Sequence, residues 1–406
     1  MKQKFTGILF LTLGCIFHGT AADAGIAVSD AQNTPETMER TRGKMKNHLI
    51  ADDGDRHECT SWIVLPGLTE GKSIMLHKNR DADAVKLKFY REALPGKIGW
   101  MALGNAERVS ANMGINDKGV AVVMNSGDPS DGTSETTGFF TPEIAKIALE
   151  ESATAAEAVE KIPEIVETKR YRHGKKGSIW FAADAREAWI IENDAIRFAA
   201  HKVDGSFDIR ANTWHFTEMI PFTQLPPERQ TNYYRREFAV RQRLFAGGTK
   251  YAGPVTVEMI ADASRIAVIP EDPACYPLCG NRTNSAVTIV VDCEFAESLS
   301  AMYVAFGPPR YTVYLPLPCL LKEIPEALTS GRFSDAVFAR RDTGVELPEK
   351  ERSSLERKMN QRHRDAVEKA RSILLAGGGK EEAANLLSEA FRENWKDACA
   401  FLGFRQ

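Results

Sequence analysis

Beyond its first residues the 406-residue sequence has no apolar run long enough to cross a bilayer, which takes about 18–20 residues. It has no charge excess either: 52 Lys and Arg stand against 55 Asp and Glu, a formal net charge of −3. That balance excludes the basic footprint of a nucleic-acid binder and the acidic block of a disordered tail. No Gly-rich phosphate loop and no His-Glu-x-x-His pair occurs, so the sequence implies neither cofactor nor metal. Cysteine is scarce, with seven in the chain, and Cys275, Cys279 and Cys293 lack the paired-knuckle spacing of a zinc site. No internal repeat is visible. What remains is a globular chain, 43% hydrophobic, able to bury one large core or two smaller ones.

The first residues carry an address. Lys2 and Lys4 precede an apolar run over residues 5–17, followed by the small residues Gly19-Thr20-Ala21-Ala22. This is the pattern of a secretory signal peptide over residues 1–22, with cleavage expected after Ala22 or Ala24. Leu13-Gly14-Cys15 is similar to a lipoprotein box, but Thr12 stands where an aliphatic residue is required, so lipid anchoring is not expected. The expectation is an exported protein, periplasmic or extracellular. Residues 23–58 are polar, with Pro35, Gly43 and Gly54 and no apolar period, and read as a propeptide or linker. Export permits disulfides, and Cys275 and Cys279 flank a short turn across which they are close enough to bridge.

From residue 59 onward the pattern is one of strands. Residues 61–65 and 73–77 predict a hairpin, ending in Lys78-Asn79-Arg80-Asp81. A second hairpin is predicted for 108–115 and 120–125 around Asn116-Asp117-Lys118-Gly119, residue types that tolerate positive φ. Helices are predicted from Thr141-Pro142-Glu143 and from the capping box at Thr154, the latter stopping near Pro163. Strands return at 178–182 and 187–192, with 196–201 and 207–211 expected in the same sheet. A helix over 232–244 and strands over 286–291, 302–306 and 311–315 complete the β-rich part. From Lys322 the chain is charged and helical, broken at Gly377-Gly378-Gly379. Helices set between antiparallel runs predict an α+β protein whose sheets carry helices on their outer faces.

Cys59 stands at the mouth of the first strand, after the turn-rich Ala51-Asp52-Asp53-Gly54-Asp55. Were the peptide bond before it cut, one residue would hold both a thiol and an α-amine titrating at about 7.7–8.0, a nucleophile and its base together. On position alone Cys59 reads rather as a buried strand-edge cysteine. The order of the other motifs favours the nucleophile: Cys59-Thr60-Ser61, Lys78-Asn79-Arg80-Asp81, Gly114-Ile115-Asn116-Asp117-Lys118-Gly119-Val120, Asn125, Glu187-Ala188-Trp189-Ile190-Ile191-Glu192, and Ala211-Asn212-Thr213. In this order they resemble the N-terminal-nucleophile cysteine hydrolases of linear amides. That group includes the secreted dipeptidases, acid ceramidase, choloylglycine and penicillin V acylases, and isopenicillin N acyltransferase. The Glu-Ala-Trp-Ile-Ile-Glu segment and the charged tail are most similar to the dipeptidases.

The resemblance runs from Cys59 to about Leu315 and implies a four-layer αββα sandwich of two antiparallel sheets. It places the hydrolase domain over 59–320 and a helical extension over 321–406, with self-cleavage between Glu58 and Cys59. Carried over residue by residue, it makes Cys59 the nucleophile and Asp81 the carboxylate that holds its amine. Lys78 falls where the family has arginine, keeping the charge without the bidentate fork; Arg80 is in position to compensate. Asn125 matches an amide donor to the oxyanion, and Asn212 a second asparagine near the nucleophile. Arg235, Arg236 and Arg282 are all candidates for a further arginine of the site. A papain-like pairing with His57, His77 or His215 lacks its local signature, and these histidines read as surface or strand residues. The implied partner is a small amide or peptide substrate. An acyltransferase on the same scaffold, or a silent binding relative, stays open, and the oligomeric state has no signal.

Overall fold

The computed structural model describes residues 58–82, 86–132, 138–245, 253–269 and 275–405. The expected signal segment 1–22, the expected leader up to residue 57, and His57 with it, lie outside the described residues. The chain opens with β1 (Glu58–Val64), β2 (Ser73–Asp81), β3 (Leu87–Glu92), β4 (Trp100–Asn105), β5 (Met113–Asn116), β6 (Ala121–Pro129) and the short β7 (Phe139–Phe140). Helices α1 (Thr141–Glu151) and α2 (Ala155–Glu167) follow, then β8 (Tyr171–Arg172), β9 (Lys176–Ala183), β10 (Ala188–Asn193), β11 (Phe198–Lys202) and β12 (Phe207–Arg210). Next come α3 (Pro227–Phe245), α4 (Val257–Ala263), β13 (Thr283–Asp292), α5 (Ala296–Leu299), β14 (Ala301–Ala305) and β15 (Leu315–Pro318). The tail is α6 (Glu326–Thr329), α7 (Arg332–Asp342), α8 (Glu349–Leu375) and α9 (Lys380–Leu402).

Two antiparallel sheets result, in the orders β12-β1-β2-β13-β14-β15 and β11-β10-β9-β6-β5-β4-β3. Their strands alternate with period two, so each sheet has two apolar faces. Ile63, Leu76, Ile289 and Val304 of the first meet Leu103, Ile115, Val123 and Phe181 of the second in the inter-sheet core. The outer face of the first sheet (Trp62, Val64, Tyr303) is covered by Ala239 and Val240 of α3 and Ile260 of α4. The outer face of the second (Trp100, Val122, Trp180) is covered by Ile144 of α1 and Ile162 of α2. This is the expected αββα arrangement. Met359 of α8 and Phe391 and Trp395 of α9 join the central core, so the helical tail packs on the sheets.

Several local expectations hold for physical reasons the structure makes plain. In the turn before β6, Gly119 has φ 78°, and Asn116 Oδ1 accepts from the N–H groups of Lys118 (3.0 Å) and Val120 (2.9 Å). Thr154 caps α2, its hydroxyl accepting from Glu157 N at 3.1 Å. Other expectations need correction. The α2 helix does not stop at Pro163 but continues to Glu167, because Ile162, Ile165 and Val166 are buried on the sheet; that packing outweighs the hydrogen bond proline forfeits. The expected strand at 311–315 lies instead at Leu315–Pro318, and β3 and β4 form where no strand was foreseen. None of the six described cysteines forms a disulfide, so Cys275 and Cys279 remain thiols.

The most consequential correction concerns β12. Expected in the same sheet as β11, it crosses to the other sheet and pairs antiparallel with β1, Ser61 opposite Arg210. Alternation at Phe207 and Ile209 says which side chains share a face; it does not say which sheet the strand joins. Among the described residues no helix is long and apolar enough to cross a membrane.

Candidate active site

The β1–β2 hairpin sets the site by its register. Glu58 lies opposite Asp81, Cys59 opposite Arg80, and Ser61 opposite Lys78. With Ile63 and Leu76 in the inter-sheet core, alternation turns Cys59, Ser61, Lys78 and Arg80 toward the second sheet. Asp81, Asn79 and His77 turn outward toward α3 and α4. A cleft of about 510 Å³ is lined by Cys59, Lys78, Arg80, Met124 and Ser126 and also reaches Asp81.

Lys78 is fully buried, its Nζ donating to the Met124 carbonyl and lying 3.8 Å from the Met124 sulfur. Burial lowers its pKa below the usual lysine range, and the adjoining Cys59 thiol acts against that shift. Arg80, 7% exposed, has no ion-pair partner among the described residues, and its Nη1 finds no acceptor. Burial depresses its pKa as well.

On the other face the charges are matched. Arg236 of α3, fully buried, donates from Nη2 to Asp81 Oδ2 at 2.8 Å and from Nη1 reaches Glu58 Oε2 at 3.5 Å. The Thr283 hydroxyl donates to the other Asp81 oxygen. Burial nonetheless raises the Asp81 carboxyl to about 6, against the pull of Arg236 and Thr283. Of the three arginines left open by the sequence, Arg236 is thus the one set against Asp81. Arg235 is exposed on the same helix, and Arg282 is half-buried in the turn before β13, its main-chain N–H donating to the Tyr276 hydroxyl at 3.0 Å.

The crossing of β12 delivers Asn212. Its Oδ1 accepts from the main-chain nitrogen of Cys59 at 2.7 Å, and its Nδ2 donates to Ser126 O at 2.7 Å. Asn125 is buried nearby but differently engaged. Its Oδ1 accepts from Ser61 Oγ at 2.7 Å, and its Nδ2 donates to the carbonyls of Arg210 (3.1 Å) and Ala211 (2.9 Å). Both amide hydrogens are therefore spent on the backbone leading into Asn212.

That segment is held by three carboxylates the motifs did not assign. Glu237 accepts from Ala211 N at 2.7 Å, Glu192 from His215 N and Phe216 N at 2.9 Å, and Asp128 from Thr213 Oγ1 at 3.1 Å. Glu192 also takes Arg210 Nε at 2.9 Å. Glu192 closes the Glu-Ala-Trp-Ile-Ile-Glu segment, which was a signal; Glu237, Asp128 and Thr283 had none, because their partners are remote in sequence. His173 lines the cleft, but the two described histidines weighed from the sequence are elsewhere. His77 stacks on Trp62 on the outer face (centroids 4.0 Å apart), and burial drives its pKa down to about 3. His215 Nε2 is 3.2 Å from Glu237 Oε2. Among the described residues no cluster of His, Cys, Asp and Glu is arranged to hold a metal ion.

No family model matches the chain. Among solved structures it is similar to a mutant conjugated bile acid hydrolase from Clostridium perfringens, at 10% identity and a TM-score of 0.40, covering 61% of this chain and 88% of that one. Penicillin V acylase from Agrobacterium tumefaciens follows at 17% identity and 0.38, covering 61% and 82%. An ortholog of N-acylethanolamine-hydrolyzing acid amidase from Caenorhabditis elegans has 13% identity and 0.38, covering 59% and 95%. The first two names belong to the group that the sequence resembles. At such scores the likenesses carry no weight for what the site does, which rests on its geometry.

Proposed function

We propose that the protein is a self-processing cysteine amidohydrolase that cuts linear amide or peptide bonds through a thioester on Cys59. The observation that supports this most is the environment of one atom. The main-chain nitrogen of Cys59 is held at 2.7 Å by Asn212 Oδ1, while the residue lines a cleft together with Lys78. Cleavage of the Glu58–Cys59 bond would turn that amide nitrogen into an amine already placed beside its thiol.

In the reaction the amine takes the thiol proton as sulfur attacks the amide carbonyl, and returns it to the departing amine. Water then attacks the thioester with the same amine as base, releasing the acid and restoring the thiol. Asp81 holds the ammonium that forms midway, and Lys78 puts positive charge beside the developing oxyanion. Asn125, with both N–H groups on carbonyls, locks the segment that carries Asn212. The reading includes export through residues 1–22, removal of a leader over 23–58, and a catalytic domain over 59–320 with its helical extension. Dipeptides are the preferred substrates to test, on the dipeptidase-like segments.

The experiment is N-terminal sequencing and intact mass of the purified protein beside Cys59→Ala. A wild-type chain starting at Cys59, with the variant uncut, is the expected result. A wild-type chain that keeps the residues before Cys59 and still turns over dipeptides or N-acyl amines overturns the mechanism.

A further inference from the structure

Three arginine and lysine side chains are buried around Cys59, and they are not equally compensated. Arg236 has Asp81 and Glu58. Lys78 has a carbonyl, a thioether and the Cys59 thiol. Arg80 has no carboxylate partner among the described residues, although a buried guanidinium is ordinarily paired. The acids at the cleft mouth do not supply one: Glu143 is taken by Arg108 at 3.2 Å, and Glu107 is exposed at the rim. Arg80 nevertheless lines the cleft. It lies directly across the ladder from Cys59, where opposed side chains start about 4.5–5.5 Å apart at Cβ. A planar guanidinium so placed matches a carboxylate in two parallel hydrogen bonds.

We propose that Arg80 is the substrate's anion-binding residue, receiving a carboxylate carried close to the scissile amide, so that the enzyme selects acidic substrates over their neutral analogues. The proposal builds on Cys59 as nucleophile. It narrows the substrate to two chemical forms: a leaving amine that is an amino acid with a free carboxylate, or an acyl group that bears a second carboxylate.

The test compares wild type, Arg80→Gln and Arg80→Lys on matched pairs. On the amine side these are acetyl-, phenylacetyl- and decanoyl-alanine, each beside its carboxamide. On the acyl side they are glutaryl-anilide and its terminal carboxamide. Wild type is expected to favour the acid of one pair by about 10²-fold in kcat/KM, as a buried charge-assisted contact gives. The pair that shows the preference identifies the side. Arg80→Gln brings that ratio close to one, and Arg80→Lys restores part of it. A wild-type ratio near one, or an unchanged ratio in Arg80→Gln, overturns the proposal. If wild type turns over no member, the amidohydrolase reading has failed, and calorimetric titration of wild type and Arg80→Gln with phenylacetyl-alanine and its carboxamide decides the clamp separately. A preference for the acid that Arg80→Gln abolishes sustains it; equal or absent binding overturns it.

Discussion

The two faces of the β1–β2 hairpin bury charge in opposite ways. On the outer face Asp81 is gripped by Arg236 and Thr283, and His77 is satisfied by Thr288 and Asn79 at 2.8 Å each. On the inner face, one residue away along the same strand, Lys78 and Arg80 are buried with no carboxylate in hydrogen-bond or ion-pair contact among the described residues. Taking an ion out of water costs several kcal/mol unless it is paired. The outer face is therefore finished as structure, and the inner face is left short of negative charge. A site that must steady an oxyanion or a substrate carboxylate is left unbalanced in that direction.

The sharpest way to break this contrast is to remove one cation from each face. Arg236→Met leaves Asp81 buried without its cation and is expected to lower stability by about 3–5 kcal/mol near neutral pH. The loss should narrow as pH falls toward 6, where the wild-type Asp81 takes up a proton and its pair with Arg236 is lost as well. Lys78→Met removes a charge that has no carboxylate in direct contact among the described residues. Its stability should stay level or rise by up to about 2 kcal/mol, while turnover falls about 10²-fold. Urea unfolding at pH 5 and pH 7.5 beside a dipeptide assay measures both, and equal destabilisation of the two variants would show that the faces do not differ.

A third variant sharpens what the crossing of β12 contributes. Asn212→Ala removes the acceptor of the Cys59 nitrogen. We expect slower self-cleavage and a kcat reduced about 10- to 100-fold with KM little changed, because the nitrogen is misplaced rather than the substrate. A change confined to KM would assign Asn212 to binding instead.

The smallest effect is a pH limb. A carboxyl held at about 6 is neutral below that pH and cannot hold an ammonium. Cleavage removes Glu58, a neighbour that raises this carboxyl, so turnover should fall as pH drops below 6, about tenfold per unit, with the limb flattened in Asp81→Asn. A profile that Asp81→Asn leaves untouched would place the titrating group elsewhere.

How much of this was legible varies by kind of interaction. The alternation in Ser61–Val64 and Ile74–Leu76, the Asn116 turn and the Thr154 cap are local, and their physics is written in adjacent residues. The cluster of Cys59, Lys78, Arg80 and Asp81 was legible too, because two strands joined by a short connection bring it together. The engagement of Asn125 on the Arg210 and Ala211 carbonyls was not, since nothing near residue 125 signals which backbone its amide will meet.

By itself the sequence determined the α+β class, the strand faces, the helix starts and Cys59 as the residue to watch, all through periodicity and turn chemistry acting over a few residues. Tertiary structure alone decided that β12 joins β1, that Asn212 reaches the Cys59 nitrogen across 153 residues, and that Arg236 rather than its neighbours meets Asp81 across 155. The physical reason is that alternation tells a side chain to turn inward, while its partner is chosen by the packing of all the layers at once.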